Sequence, residues 1–270
     1  MGIVSVADDG GSSGRLRQAF GIPAPGDLRR CLVALAEDGS PWAAAFEHRF
    51  SASELEGHPL GNIILAGLTE TLGSFGRAID QALILLNGVG RVYPATVEPV
   101  VLKATYERRA GTDDQPISIM GTVEGEVRVG ATKGLTSVAV VPSDPEVPRG
   151  ALQAIREADL LVIGPGSLFT SVLAVTAVPR ITSALHEARG RCVYIANLAE
   201  QHPETTGFNV EDHLRTLQLH GVRIDAVITD PGGLPLGEVR GVEVIHGDLG
   251  SRDNRLHDAT QLASVLRRLA

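Results

Sequence analysis

The sequence predicts an α/β protein: a three-layer, Rossmann-like, doubly wound and mostly parallel sheet with an antiparallel β insertion. Three observations predict it. Short apolar runs alternate with amphipathic helical segments at both ends of the chain, the rhythm of parallel βαβ units. Several of those runs empty into small or polar residues, and open α/β sheets bind ligands outside the carboxyl ends of their strands. Between the two ends, from about residue 91 to 141, short β-rich stretches are separated by turn residues. At 270 residues, 43% hydrophobic and 21% charged, the chain can bury a sizeable core. We read 1–270 as one domain carrying that insertion.

Residues 3–7 form the first expected strand. Residues 25–36 open at Pro25-Gly26-Asp27 and place Leu28, Leu32 and Leu35 on one helical face. Residues 61–86 read as helix, broken near Gly73-Ser74, because Ile64, Leu65, Leu68 and Leu72, then Ile79, Leu83 and Leu86, recur at helical spacing. In the insertion, residues 99–106, 117–121, 126–129 and 135–141 are expected strands. Gly111-Thr112-Asp113-Asp114 is an expected hairpin tip, its aspartates favouring a solvated turn over a metal site. A helix over 149–158 leads to residues 159–163, an apolar strand of the kind buried on both faces. Helices over 179–189, 211–220 and 259–269 alternate with strands over 192–196, 224–229 and 242–245.

The first strand runs into Asp8 and Asp9, then Gly10, Gly11, Ser12, Ser13 and Gly14, then Arg15 and Arg17. Glycine and serine let backbone N–H groups approach an anion closely, and arginine adds a bidentate donor for phosphate. Adjacent carboxylates beside a phosphate loop suit Mg²⁺, which takes one or two carboxylates plus phosphate oxygens. The competing reading is a solvated turn. A second loop repeats this logic: Gly164-Pro165-Gly166-Ser167 follows an apolar strand, with Thr170 and Ser171 where a helix starts. Its hydroxyls either meet phosphate or cap the helix. Both loops are expected on one edge of one sheet. Asp27 opens a helix as an N-cap or a ligand; His58 and Asn62 sit in a Gly- and Pro-bounded loop before an apolar helix. Asn197 and Glu204 follow another strand, where a polar group can reach a base, sugar or hydroxyl. Asp258 is a plausible cap, with Arg255 and His257 just before it; His213 and His220 pack or face solvent.

Net charge is −8, which disfavours nucleic acid as a partner. Cys31 and Cys192 lie far apart without metal spacing, as expected of inert thiols in a reducing cytoplasm. No stretch has the length of a membrane span, and no basic-then-apolar leader opens the sequence. There is no Gly-x-Ser-x-Gly elbow, no Cys or His metal cluster and no lysine-bearing Walker loop.

In order along the chain, Ala-Asp-Asp-Gly-Gly-Ser-Ser-Gly-Arg-Leu-Arg (7–17), Pro-Gly-Asp-Leu-Arg (25–29), Gly-His-Pro-Leu-Gly-Asn (57–62), Ala-Asp-Leu-Leu-Val-Ile-Gly-Pro-Gly-Ser-Leu-Phe-Thr-Ser (158–171), Asn197 with Glu204-Thr205-Thr206-Gly-Phe and His213, and Leu-His-Asp (256–258) stand out. With these blocks the chain resembles the bacterial gluconeogenesis factors, related in fold to 2-phospho-lactate transferase. The resemblance implies a cytoplasmic regulatory protein that binds a UDP-sugar such as UDP-N-acetylglucosamine and supports cell shape and wall-precursor supply during gluconeogenic growth. It places Asp8, Asp9, the Gly10 to Gly14 loop, Asp27, Asn62, the Gly164 to Thr170 loop with Gly166 and Ser167, and Asn197 with Glu204 and Thr205 around the ligand; from the residues themselves, Arg15 is expected on a phosphate and Arg255 or His257 over the pocket. Asp8, Asp9 and Asp27 would hold Mg²⁺. Implied partners are the nucleotide ligand, a regulated protein and a second copy in a homodimer.

The family pattern usually has one more strand and a Gly-Gly-Gly-Thr-Gly type loop ahead of this one, so residues 3–7 correspond to its second strand. Its Pro-Asn after Thr-Ser is Ala174-Val175 here. The alternative function is a Mg²⁺-dependent transferase acting on a nucleotide-linked phospho donor. Such transferases carry Pro-Asp-x-Asp where this chain has Pro-Gly-Asp-Leu, which favours the regulator. A dinucleotide is a third ligand class that Rossmann-like sheets accept.

Overall fold

A computed structural model describes residues 1–112, 115–250 and 256–269, with backbone alone over 109–112 and 115–117. The chain forms two compact units. The first comprises Met1–Lys103, Glu124–Val127 and Val140–Leu152; the second comprises Ala104–Val123, Arg128–Ala139 and Gln153–Ala270.

The first unit opens with β1 (Gly2–Val4) and continues through α1 (Gly11–Phe20), α2 (Gly26–Ala34), α3 (Pro41–Glu47), α4 (Leu60–Leu72), α5 (Phe75–Leu85) and β2 (Val92–Pro94). β1 and β2 pair in parallel, Gly2 opposite Val92 and Val4 opposite Pro94. The expected break at Gly73-Ser74 is real: Gly73 takes the left-handed conformation at φ 64°, and Ser74 caps α5 by accepting from the Arg77 N–H at 3.4 Å. The apolar face of α5 (Phe75, Ala78, Ile79, Ala82, Leu83) is buried, as its spacing requires. Two features depart from expectation. Gly10 to Gly14 is not a loop: Gly10 is the N-cap and α1 starts at Gly11. Glycine and serine are weak helix formers, but a Cβ on Gly14 would overlap the Asp9 carbonyl, so this approach tolerates only glycine. α3 was missed, although Pro41 at its first turn and the Ala43-Ala44-Ala45 run are helix signals.

The insertion contains β3 (Val101–Thr112), β4 (Gln115–Glu124), α6 (Glu126–Gly130) and β5 (Leu135–Val141), its strands ordered β4-β3-β5 in an antiparallel sheet. Residues 126–129 are helix rather than the expected strand. Gly125 ends β4 at φ +96°, and Asp9 Oδ1 accepts from the Val127 N–H at 3.0 Å, which caps the turn. Asp113 and Asp114, the expected hairpin tip, lie outside the described residues.

The rest of the chain runs α7 (Arg149–Glu157), β6 (Leu160–Ile163), a π-helical turn (Leu168–Val172) continuing into α8 (Leu173–Thr176), α9 (Pro179–Glu187), β7 (Arg191–Ile195), α10 (Val210–Leu219), β8 (Ala226–Thr229), β9 (Glu243–His246) and α11 (Ala259–Arg267). Four strands pair in parallel in the order β6-β7-β8-β9. β8 is buried throughout and β7 over four of its five residues, as strands covered on both faces must be. β6 corrects the reading: it is the edge strand, and its Val162 is 40% exposed. Val193, Ile195, Ala226, Ile228 and Leu249 form a core under Leu262, Val265 and Leu266 of α11. A capping box between Asn209 and Asp212 starts α10, and Asp258 caps α11 through the Gln261 N–H at 2.9 Å. Among the described residues no single helix is long and apolar enough to cross a membrane. The fold class is therefore α/β with parallel sheets and one antiparallel sheet, as the alternation of patterns predicts.

Candidate functional site

The first unit gathers polar groups at the start of α1. Ser12, His58 and Asn62 are all buried there. Asn62 Nδ2 donates to Ser12 Oγ at 3.1 Å, and Ser12 Oγ lies 2.8 Å from His58 Nδ1. Burial, and then the nearby Arg15, push the His58 pKa down, so the neutral ring is favoured and Nδ1 can accept the Ser12 hydroxyl proton. Asn62 Oδ1 is buried with no hydrogen-bond partner. Asp8 Oδ1 accepts from the Gly10 N–H at 2.8 Å. A Cβ on Gly26 would collide with the Ser13 hydroxyl and come within 3.2 Å of Asp8 Oδ2, so glycine brings the start of α2 onto this cluster.

The opening turn of α1 holds no acidic residue and no side-chain cap. No acceptor among the described residues takes the Gly11, Ser12 or Ser13 N–H. These are the orphan donors that make a helix start attractive to anions.

Each of the three expected cation ligands has a hydrogen-bond or ion-pair partner within the chain, Asp8 at the Gly10 N–H. Asp9 is spent on the Val127 N–H and Asp27 on Arg30. Among the described residues no three His, Cys, Asp or Glu side chains are placed to hold a metal ion. The Arg15 guanidinium donates to the Glu56 carbonyl at 2.7 Å.

The second unit places its polar residues after β6, β7 and β8. Gly164 turns the chain at φ +79°, a conformation glycine adopts freely. Beyond Gly166, Ser167 precedes the π-helical turn but does not cap it; its hydroxyl accepts from Gln201 Nε2 at 3.0 Å. Gln201 Oε1 accepts from Asn197 Nδ2 at 3.0 Å, and the Thr205 hydroxyl accepts from the Gln201 N–H at 2.9 Å. Glu204 supplies the missing cap. Its Oε1 accepts from the Phe169 N–H at 2.7 Å and the Thr170 N–H at 3.4 Å, and its Oε2 from the Thr170 hydroxyl at 3.1 Å. The donors expected to hold phosphate here already hold a carboxylate of the chain itself. Burial pushes the Glu204 pKa up, and those bonds from Phe169 and Thr170 oppose the shift.

His257 Nε2 lies 3.1 Å from the Ala196 carbonyl. Arg255 lies outside the described residues. Asp230, at the end of β8, was not singled out from the sequence. It binds the N–H groups of Leu249 at 2.6 Å, Gly250 at 2.9 Å and Gly232 at 2.7 Å. Burial opposes its ionisation, but those donors and His257 outweigh it and hold the carboxyl below its ordinary value. The available signal was a carboxylate directly after an apolar strand, in Thr229-Asp230-Pro231-Gly232. Below the loops, Tyr194 and His213 are fully buried, with the phenol oxygen 2.8 Å from His213 Nδ1. The two glycine segments follow strands of different sheets, β1 and β6, and not of one sheet as expected.

Comparison with known proteins gives a consistent result. The chain is 44% identical over 220 residues, 81% of its length, to a gluconeogenesis factor from Halalkalibacterium halodurans, covering 65% of that protein. It is 39% identical over 281 aligned positions to a provisionally named gluconeogenesis factor from Mycobacterium tuberculosis, covering 98% of the chain and 81% of the relative. A crystal structure of a UPF0052-family protein from Bacillus halodurans superposes with a TM-score of 0.87 at 35% identity, over 98% of this chain and 89% of that one. Residues 1–249 match the family described as 2-phospho-L-lactate transferase CofD, and the chain belongs to that family, alongside relatives that carry the name gluconeogenesis factor.

Proposed function

We propose that this protein is a UDP-sugar-binding regulator, a gluconeogenesis factor that senses a nucleotide sugar such as UDP-N-acetylglucosamine and supports cell shape and wall-precursor supply. The observation that carries the reading is the start of α1. Its first N–H groups have no acceptor among the described residues, whereas the matching donors at the π-helical turn are filled by Glu204. A diphosphate seats on the free donors, with Ser12 and Asn62 beside it. The Asn62 carbonyl oxygen, buried without a partner, is the group a ligand hydroxyl or N–H would satisfy.

The test is a calorimetric titration with UDP-N-acetylglucosamine, run with and without Mg²⁺. Saturable binding is expected, weakened about fivefold by Asn62→Ala, which removes the buried, unpartnered amide oxygen proposed to meet the ligand. Ser167→Ala measures whether the second unit adds to affinity. Absence of saturable binding under both conditions overturns the reading. The family description favours one alternative, a transferase acting on a nucleotide-linked phospho donor. Mg²⁺-dependent release of a nucleoside mono- or diphosphate from the donor would replace the regulator with that enzyme.

A further inference from the structure

The second unit carries an open groove of about 690 Å³ whose lining includes Tyr106, Arg108, Thr122, Arg128, Thr132 and Lys133. None of these residues belongs to the polar clusters described above. Strand alternation puts Tyr106 and Arg108 of β3 on one face. Arg128 comes from the last turn of α6, and Lys133 from the loop that follows. That loop is pinned. Thr132 N–H donates to the Val129 carbonyl at 2.9 Å, the Thr132 hydroxyl to the Arg128 carbonyl at 2.7 Å, and Glu107 N–H to the Gly134 carbonyl at 2.9 Å. Gly134, at φ +72°, packs against the Glu107 backbone so closely that a Cβ would overlap its carbonyl. The cations thus stand on a fixed backbone.

Arg108, Arg128 and Lys133 are exposed, and none has an ion-pair partner among the described residues. The one acid in the lining, Glu107, accepts from the Ser118 hydroxyl. The chain as a whole has 32 acidic and 24 basic residues. Three like charges lining one groove, with no ion-pair partner among the described residues, repel one another, and an anion between them relieves that repulsion. The volume lies within the roughly 300–1,000 Å³ of small-molecule sites, and arginine pairs phosphate or carboxylate in bidentate fashion.

We propose that this groove is a second binding site, one that takes a small oligoanion with two or more adjacent phosphate or carboxylate groups. The test is a titration at low salt with inorganic pyrophosphate and, separately, with citrate. At least one binds saturably, with tighter pyrophosphate marking a phosphate ligand and tighter citrate a carboxylate ligand. Affinity falls about tenfold or more in the double variant R108Q/K133Q and again in Arg128→Gln, and it weakens as salt is raised. Lys133→Arg keeps it. These side chains are exposed, so unchanged circular dichroism and melting temperature certify the fold. UDP-N-acetylglucosamine binding stays at its wild-type value in R108Q/K133Q. The proposal is overturned if neither anion binds, if R108Q/K133Q binds as well as the wild type, or if it loses the nucleotide sugar.

Discussion

At the scale of single residues, the burial of His213 predicts a loss of stability toward acid. His213 is fully buried, and burial pushes its pKa down from 6.5 to about 4, with Asp212 acting weakly the other way. Between those values the unfolded chain binds a proton that the folded chain refuses, so stability falls as pH drops from about 6.5 to about 4. The linked free energy is about 3 kcal/mol. His213→Gln keeps an acceptor for the Tyr194 hydroxyl and removes the titration. Urea unfolding as a function of pH therefore shows a flatter acid limb in this variant, and an unchanged limb would rule His213 out as its source. Glu204 makes a second case. In Glu204→Ala the Phe169 and Thr170 N–H groups lose their acceptor inside the protein, which costs about 2–4 kcal/mol, whereas Glu204→Gln retains an acceptor and costs less. Denaturant midpoints separate the two, and equal losses would show that the carboxylate does not act as a cap.

At the scale of elements, two helical glycines have opposite meanings. Gly67 lies within α4 with nothing near the place its Cβ would occupy, so Gly67→Ala stabilises by roughly 0.5–1 kcal/mol. Gly14 lies against the Asp9 carbonyl, and Gly14→Ala forces α1 away from the segment that precedes it. The cost is about 2–3 kcal/mol of overpacking, with loss of UDP-N-acetylglucosamine binding because the free N–H groups move. Melting temperatures of opposite sign in the two variants check the pair. These glycines also show why part of the chain was legible and part was not. α5, β7 and β8 are legible in the sequence because their burial follows a pattern that their own side chains write. The first turns of α1 look like a loop in sequence because the contact that selects Gly14 is with backbone and leaves no apolar period. The turn at 126–129 carried β-favouring valines, yet Asp9, distant in sequence, caps it as a helix. The glycine, serine and aspartate positions of the candidate site were visible, but the placement of Glu204 on Thr170 and of Asp9 on Val127 arises from tertiary contacts that no local pattern encodes.

At the scale of the molecule, the chain interleaves its two units, passing between them after Lys103, Val123, Val127, Ala139 and Leu152. Neither unit is therefore a single run of sequence that one cut would release whole. Elements such as β3, β5 and α7 contribute residues to both. That connectivity predicts a single cooperative thermal transition, because partial unfolding would break continuous strands and helices in mid-element. The start of α1 belongs to the first unit alone, so the proposed nucleotide-sugar binding there is a probe of the coupling. UDP-N-acetylglucosamine at about a hundredfold excess over its Kd adds about 2.7 kcal/mol to the folded state. In scanning calorimetry the whole endotherm then moves upward by several degrees as one peak, roughly 2–4 °C for each kcal/mol in a chain of this size. Two endotherms, with only one displaced by the nucleotide sugar, would mean that the units melt independently despite their shared strands and helices.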